Sequence, residues 1–414
     1  MPLPRNRLSR LAVATLAASV ALALPAQAEP NATVLKQAET YKQPVLTLLE
    51  KLVSIDSGTA DAKGVDAVAE VVKAELSALG AKVETVPSSV PDKGANVVAT
   101  LSGSGNARIL LVAHMDTVFP AGEVAKRPFK IEGGRATGPG VMDDKGGIVL
   151  ALYALHALRD LGYTNYRTIT LLLNSNEETG SAGSHELISA QARQHDVVFN
   201  LEPGRPTDGL VIARKGAAQL QVDVKGRGAH AGVAPDSGRN AATELAHQVL
   251  AIGSLGDRAK ETTVNVTTLK AGTVVNVIPD AATAQGDMRA YVSEEFDRVE
   301  RDLSGLAKTT HVPDTSVTTK LTRTFPPMPR NAGTDGLAAK AQAIYAEIGR
   351  KLTLESSGGA ADSSFTAAAG TPTIDGLGIV GGGIHSKDEY AEVESIVPRL
   401  YLLTRLIMET GGAN

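Results

Sequence analysis

The sequence predicts an α/β chain in which a mostly parallel sheet is interrupted by an inserted ferredoxin-like α+β unit. Three observations carry that expectation. Short apolar runs such as Ile109–Ala113, Thr168–Leu173 and Val197–Phe199 alternate with helical periodicity. That is the pattern of parallel strands covered on both faces. In mid-chain the pattern changes to alternating strands in the order β-α-β-β-α-β. Residues able to ligate a metal lie on both sides of this segment, so it interrupts a domain.

Taken in order, the first 28 residues hold Arg5, Arg7 and Arg10, an apolar run from Leu11 to Leu24, and Pro25-Ala26-Gln27-Ala28. This reads as a secretory signal cleaved after Ala28. The run falls short of the ~20 apolar residues a membrane anchor needs. A periplasmic or secreted mature chain, free of the membrane, is expected. Val65, Val68, Val72, Leu76 and Leu79 mark one helix face, stopped by Gly80. Asn96–Leu101 and Ile109–Ala113 read as strands, Gly147–Leu161 as a buried helix, and Thr168–Leu173 and Val197–Phe199 as further strands.

The inserted unit reads as a strand over Ala218–Val224, a helix over Asn240–Leu255 and strands over Thr263–Lys270 and Ala284–Val292. A helix over Glu294–Ala307 and a strand over Ser316–Thr322 complete it. The expected organisation is a signal over 1–28, a first domain part over 29–213, the inserted unit over 214–324 and a second part over 325–414. Hinges are expected at Gly209–Lys215 and Arg323–Pro329.

Composition narrows the function. The 414 residues are 43% hydrophobic and 21% charged, with a net charge of -4 that falls by three once the signal arginines are removed. This mild acidity offers no basic footprint for nucleic acid. Aromatics are 3% and Trp is absent, so no base-stacking platform is expected. There is no cysteine, hence no disulfide and no thiolate metal site.

Histidine and carboxylate are the ligands that remain. His114-Met115-Asp116 follows the Ile109–Ala113 run. Residues i and i+2 of an extended segment point the same way, so Asp116 can fix the imidazole of His114. Asp143 lies in Gly138-Pro139-Gly140-Val141-Met142-Asp143-Asp144-Lys145, a tight loop before a helix; alone it would read as a helix cap. Glu177-Glu178 and Glu202-Pro203 each follow a strand, and His385 lies in Gly381-Gly382-Gly383-Ile384-His385. Each of these singly would read as surface. In a metal site, one of two adjacent glutamates can bind while the other takes a proton from water.

In this order the elements resemble the two-zinc exopeptidases and amidohydrolases, a family of glutamate carboxypeptidases, aminoacylases, peptidase T-like enzymes and succinyl-diaminopimelate desuccinylases. The resemblance runs from about residue 40 to the end and is strongest to the glutamate carboxypeptidases. His114-Met115-Asp116-Thr117-Val118, Gly138–Gly147 and Arg405-Leu406-Ile407-Met408 carry that closer match.

The resemblance implies two Zn²⁺ per subunit, with Co²⁺ or Mn²⁺ able to take the same ligands. Asp143 would bridge them, His114 and Glu202 completing one metal and Glu178 and His385 the other. Glu177 would be the general base, and the Asp143–Asp144 peptide would be cis. The resemblance also implies a homodimer in which His230, within Gly228-Ala229-His230-Ala231-Gly232, reaches the partner's active site. Asn276 and Arg289 would grip the carboxylate of a small peptide or N-acyl amino acid. One departure stands out: where the family often has Gly-Gly-Thr-Asp or Gly-Gly-Ser-Asp, this chain has Gly358-Gly359-Ala360-Ala361-Asp362. The expected activity is hydrolysis of the amide bond to a C-terminal residue, glutamate foremost. An N-acyl-amino-acid deacylase or dipeptidase is the alternative, and an inactive metal-binding scaffold the non-enzymatic one.

Overall fold

The computed structural model describes Met1 and residues 29–206 and 208–412. The expected signal segment, apart from Met1, lies outside the described residues. No helix among them is long and apolar enough to cross a membrane.

The main sheet has six strands in the order Lys82–Val86, Asn96–Ser102, Thr168–Asn174, Arg108–His114, Val197–Asn200 and Thr373–Ile374. The last four run parallel, while Asn96–Ser102 is antiparallel to both of its neighbours. Within Arg108–His114, Ile109, Leu111 and Ala113 pack into one core. Leu110 and Val112 pack into a second on the opposite face. Burial on both faces explains why these strands read as unbroken apolar runs.

Helices Ala32–Val53, Ala62–Ala78, Lys145–Asp160 and Ile396–Gly411 contribute to the larger core. Ala32–Val53 begins at Asn31, whose Oδ1 accepts from Val34 N at 3.1 Å. Pro44 lies inside it. Helices His185–Ala192 and Ser363–Ala368 cover the other face through Ile188, Ala192 and Phe365.

The inserted unit has the expected ferredoxin-like order. Its antiparallel strands lie as Thr263–Ala271, Ala281–Ala290, Gly216–Lys225 and Ser316–Phe325. Helices Ala241–Gly253 and Ser293–Leu306 pack on one face over Leu220, Val222, Val224, Leu245, Phe296 and Val299.

The segment expected as the first hinge differs. Gly209–Arg214 is a buried strand paired in parallel with Thr353–Ser357. Its run of Leu210-Val211-Ile212-Ala213 supplies apolar side chains that are buried in a strand and would be costly in a loop. The two crossings into the inserted unit are held together there: Arg214 and Met328 exchange both backbone hydrogen bonds, at 2.9 and 3.0 Å.

Candidate metal centre

Strand order places the first candidate ligands. Arg108–His114 lies between Thr168–Asn174 and Val197–Asn200, all parallel, so their C-terminal ends adjoin. His114 ends the central strand, Glu177 and Glu178 follow one neighbour, and Glu202 follows the other. Side chains gathered beyond the carboxyl ends of parallel strands are the usual site of chemistry in open α/β sheets.

Asp143 is the centre of the cluster. Its Oδ1 lies 3.0 Å from His114 Nε2, and its Oδ2 lies 3.2 Å from His385 Nε2. His114 Nε2 is also 3.6 Å from Glu202 Oε1. His385 Nε2 is also 3.1 Å from Glu178 Oε2. Ligand atoms of His114, Asp143 and Glu178 lie within 4.8 Å of one another, as do those of His114, Glu177 and Glu202. His385 holds a positive φ of 60° at the end of its glycine run. The Asp143–Asp144 peptide is cis. The helix cap is Asp144 instead of Asp143, and its side chain makes no capping bond.

Asp116 does more than its spacing predicts, and in part differently. The nearest partner of His114 Nδ1 is the Asp116 backbone carbonyl at 3.0 Å, with the carboxylate Oδ1 at 3.3 Å. The carboxylate also accepts the backbone N–H of Glu177 at 3.0 Å and of Glu178 at 3.2 Å, and the Thr59 hydroxyl at 2.6 Å. One buried side chain thus sets both His114 and the adjacent glutamates.

The inserted unit carries the remaining candidates. Ala229–His230 pairs with Val277–Ile278, and Ala231 N donates to Asn276 O at 2.9 Å, so His230 and Asn276 lie together. His230 is exposed, its Nδ1 accepting from Gly232 N and Val233 N at 3.2 Å. Arg289, on Ala281–Ala290, pairs with Asp287 at 3.0 Å. Among the described residues no hydrogen bond or ion pair joins these three to the Asp143 cluster.

The profile of peptidase family M20/M25/M40 matches residues 110–409. Carboxypeptidase G2 of Pseudomonas sp. (strain RS-16) is 40% identical over 412 residues, 99% of either chain. The chain belongs to peptidase family M20/M25/M40. Succinyl-diaminopimelate desuccinylase of Gluconacetobacter diazotrophicus is 28% identical over 379 residues, 86% of this chain and 94% of the relative. Among solved structures, aminopeptidase PepT of Bacillus cereus superposes with a TM-score of 0.74 at 25% identity, covering 89% of this chain and 98% of its own. An M20 metallo-carboxypeptidase of Sulfolobus solfataricus shares the fold, with a TM-score of 0.72 at 16% identity over 89% and 99% of the two chains. This M20 chain is a carboxypeptidase-type hydrolase.

The electrostatics of the M20 site fit a bound cation. Burial, and then the charge of Glu202, push the Glu177 carboxyl well above its ordinary range. Burial and Asp143 push Glu202 up to about 8. Burial opposes ionisation of Asp143 too, but hydrogen bonds from His114 and His385 hold it well below the usual carboxylate range. Hydrogen bonds to Asp143 and Glu178 push His385 up to about 10. Glu178 Oε1 is buried with no partner. Glu177, Glu178 and Glu202 are all raised in this way, and an added cation would favour their ionised forms.

Arg214 and Glu389 escaped the sequence as site residues, while Asp362 was marked only as the end of its departing glycine loop. Arg214 Nε meets Asp375 at 2.6 Å, its Nη1 donates to Gly359 O at 3.2 Å, and its Nη2 lies 3.5 Å from Glu202. Asp362 accepts from Asn174 Nδ2 at 2.8 Å and Ser181 Oγ at 2.5 Å, bracing the loop that carries Glu177. Glu389 is 1% exposed and accepts three backbone N–H groups. These are Gly140 at 3.0 Å, Met142 at 2.9 Å and Asp143 at 3.1 Å. The one available signal was its place four residues after His385, inside the same loop.

Proposed function

We propose that this M20 hydrolase is a zinc-dependent exopeptidase that cleaves the amide bond to a C-terminal amino acid, with glutamate preferred and N-acyl-glutamates or folates as substrates. The observation that carries the reading is the pair of imidazoles facing opposite oxygens of Asp143. A carboxylate so flanked suits a bridge between two cations. His114 and Glu202 would complete one and Glu178 and His385 the other, with Co²⁺ or Mn²⁺ as possible replacements. When bound, such a pair supplies Lewis acidity to the scissile carbonyl and lowers the pKa of water.

The chain's own residues do the rest. Glu177, raised in pKa and held by its N–H to Asp116, takes the proton from the attacking water and passes it to the leaving nitrogen. Arg289 and Asn276 receive the substrate carboxylate, Arg289 exchanging Asp287 for it. A free carboxylate anchored there would restrict cleavage to a terminal residue. His230 is exposed and unattached to its own cluster, which supports a role in stabilising the oxyanion of the partner's site. Exposed Val275, Leu250 and Leu269 on the inserted unit support a homodimer formed there. The arginine-led apolar N-terminus supports export to the periplasm.

The test is a panel of folate, N-acyl-glutamates, other N-acyl amino acids and dipeptides, offered to the zinc-loaded protein. Fastest turnover on a C-terminal glutamate is expected. A preference for N-acyl amino acids without glutamate, or for dipeptides, would establish the deacylase or dipeptidase reading instead. Metal binding without turnover on any of them would leave only a binding scaffold.

A further inference from the structure

A cleft of about 450 Å³ lies behind the Asp143 loop and outside the metal cluster. Lys126, Arg127, Lys130, Arg135 and Lys387 line it. These five cations converge in a chain whose net charge is negative. Lys126 and Arg127 share one partner, Glu123, at 3.2 and 2.8 Å. Among the described residues Lys130, Arg135 and Lys387 form no ion pair. Arg135 lies opposite Glu132 and Glu392 in its small sheet yet pairs with neither. Its guanidinium lies over the Tyr390 ring, 4.0 Å from the centroid, at the cleft wall.

The acids of the lining do not balance this charge. Glu389 turns inward, both oxygens taken by the three backbone N–H groups of the Asp143 loop. That leaves Asp388 as the other lining acid. Arg127 Nη1 donates to Lys387 O at 3.2 Å, while its Nη2 is buried with no partner. A concave surface lined by one sign of charge concentrates potential at its centre. Arginine adds a planar donor fork suited to phosphate or carboxylate.

We propose that this cleft is a binding site for a small dianion bearing phosphate-type or carboxylate groups, separate from the metal centre. Lys130, Arg135 and Lys387 are its free cations, and Arg127 anchors its wall to the loop that carries His385. The inference is independent of the substrate and of the metals.

The test is calorimetric titration of the full chain with inorganic sulfate and, separately, with glutarate, at constant ionic strength set with sodium chloride. The comparison is between the wild type, the triple variant Lys130→Ala/Arg135→Ala/Lys387→Ala, and the control Lys36→Ala/Lys51→Ala/Lys63→Ala. The control removes the same charge from exposed positions on other elements. The expected result is saturable binding by wild type and control, weakened at least tenfold in the cleft variant while its melting temperature stays near that of the wild type. Tighter sulfate binding identifies a phosphate-type ligand, and tighter glutarate binding a dicarboxylate. Equal binding by cleft variant and wild type, or no saturable binding of either anion by the wild type, would overturn the proposal.

Discussion

His385 Nε2 lies 3.2 Å from Oδ2 of Asp143, across the carboxylate from the oxygen that faces His114. The two imidazoles come from either side of the inserted unit and meet on one side chain. The two adjacent glutamates face different partners, and the proposed division of roles rests on that. Glu178 shares His385 with Asp143, while Glu177 lies beside His114 and Glu202. Glu177→Ala is expected to keep near-normal zinc content and to lose at least about 10²–10⁴-fold in turnover, the usual contribution of a general base. Glu178→Ala is expected to lose zinc as well. Metal analysis beside turnover checks both, and equal zinc content in the two variants would sink the division.

Glu389 should matter to metal retention although it touches no ligand side chain. In Glu389→Gln one acceptor becomes an N–H₂ donor aimed at the backbone N–H groups of Gly140, Met142 or Asp143. An unmet buried N–H costs about 1–3 kcal/mol. Outer partners of metal ligands typically contribute about 10–100-fold in affinity. A tenfold or greater weakening of zinc binding by competitive chelation is expected, with the sheet's circular dichroism intact. Unchanged zinc affinity would count against the clasp.

Much of this site was legible because His114, Glu177 and Glu202 each follow an apolar run that could only be a buried strand. Their neighbourhood was not legible, because strand order is a tertiary property. Arg214 with Asp375 and Glu389 with Met142 are pairs separated by 161 and 247 residues. No local spacing marks either one. Gly209–Lys215 read as a hinge because it adjoins the change of pattern, yet its four apolar side chains were the better guide. The first helix, Ala32–Val53, went unread; it carries an internal proline.

The inserted unit should have its own acid sensitivity. Glu295 accepts from Arg298 Nη2 at 2.7 Å, Lys260 Nζ at 2.6 Å and Thr262 Oγ1 at 2.9 Å. Its carboxyl is lowered to about 2, first by the Arg298 bond and also by Lys260 and Thr262. A carboxylate depressed on folding stabilises above its unfolded pKa of about 4.3, and that contribution is lost as pH falls toward the folded value. Glu295→Gln is expected to cost about 1–2 kcal/mol near neutral pH, allowing for screening at the half-exposed Lys260. Thermal melts should show the gap to wild type closing as pH drops from about 4.5 to 2. A gap independent of pH would argue against the charge.

His230 is proposed to serve the partner's site, so two dead variants should rescue one another. His230→Ala and Glu177→Ala subunits, mixed and allowed to exchange, should form heterodimers with one intact composite site. About a quarter of wild-type activity is expected for random pairing, in which half the dimers are mixed and carry one working site of two. No recovery despite demonstrated exchange would count against His230 acting across the dimer.

The central claim is that Asp143 bridges two metal ions, and metal stoichiometry of the wild type against Asp143→Asn tests it most directly. After zinc loading and desalting, plasma emission spectrometry should find two zinc ions per wild-type chain and fewer than one in the variant, because both sites share that carboxylate. One zinc per wild-type chain, or a variant that loses a single ion and keeps the other tightly bound, would contradict it.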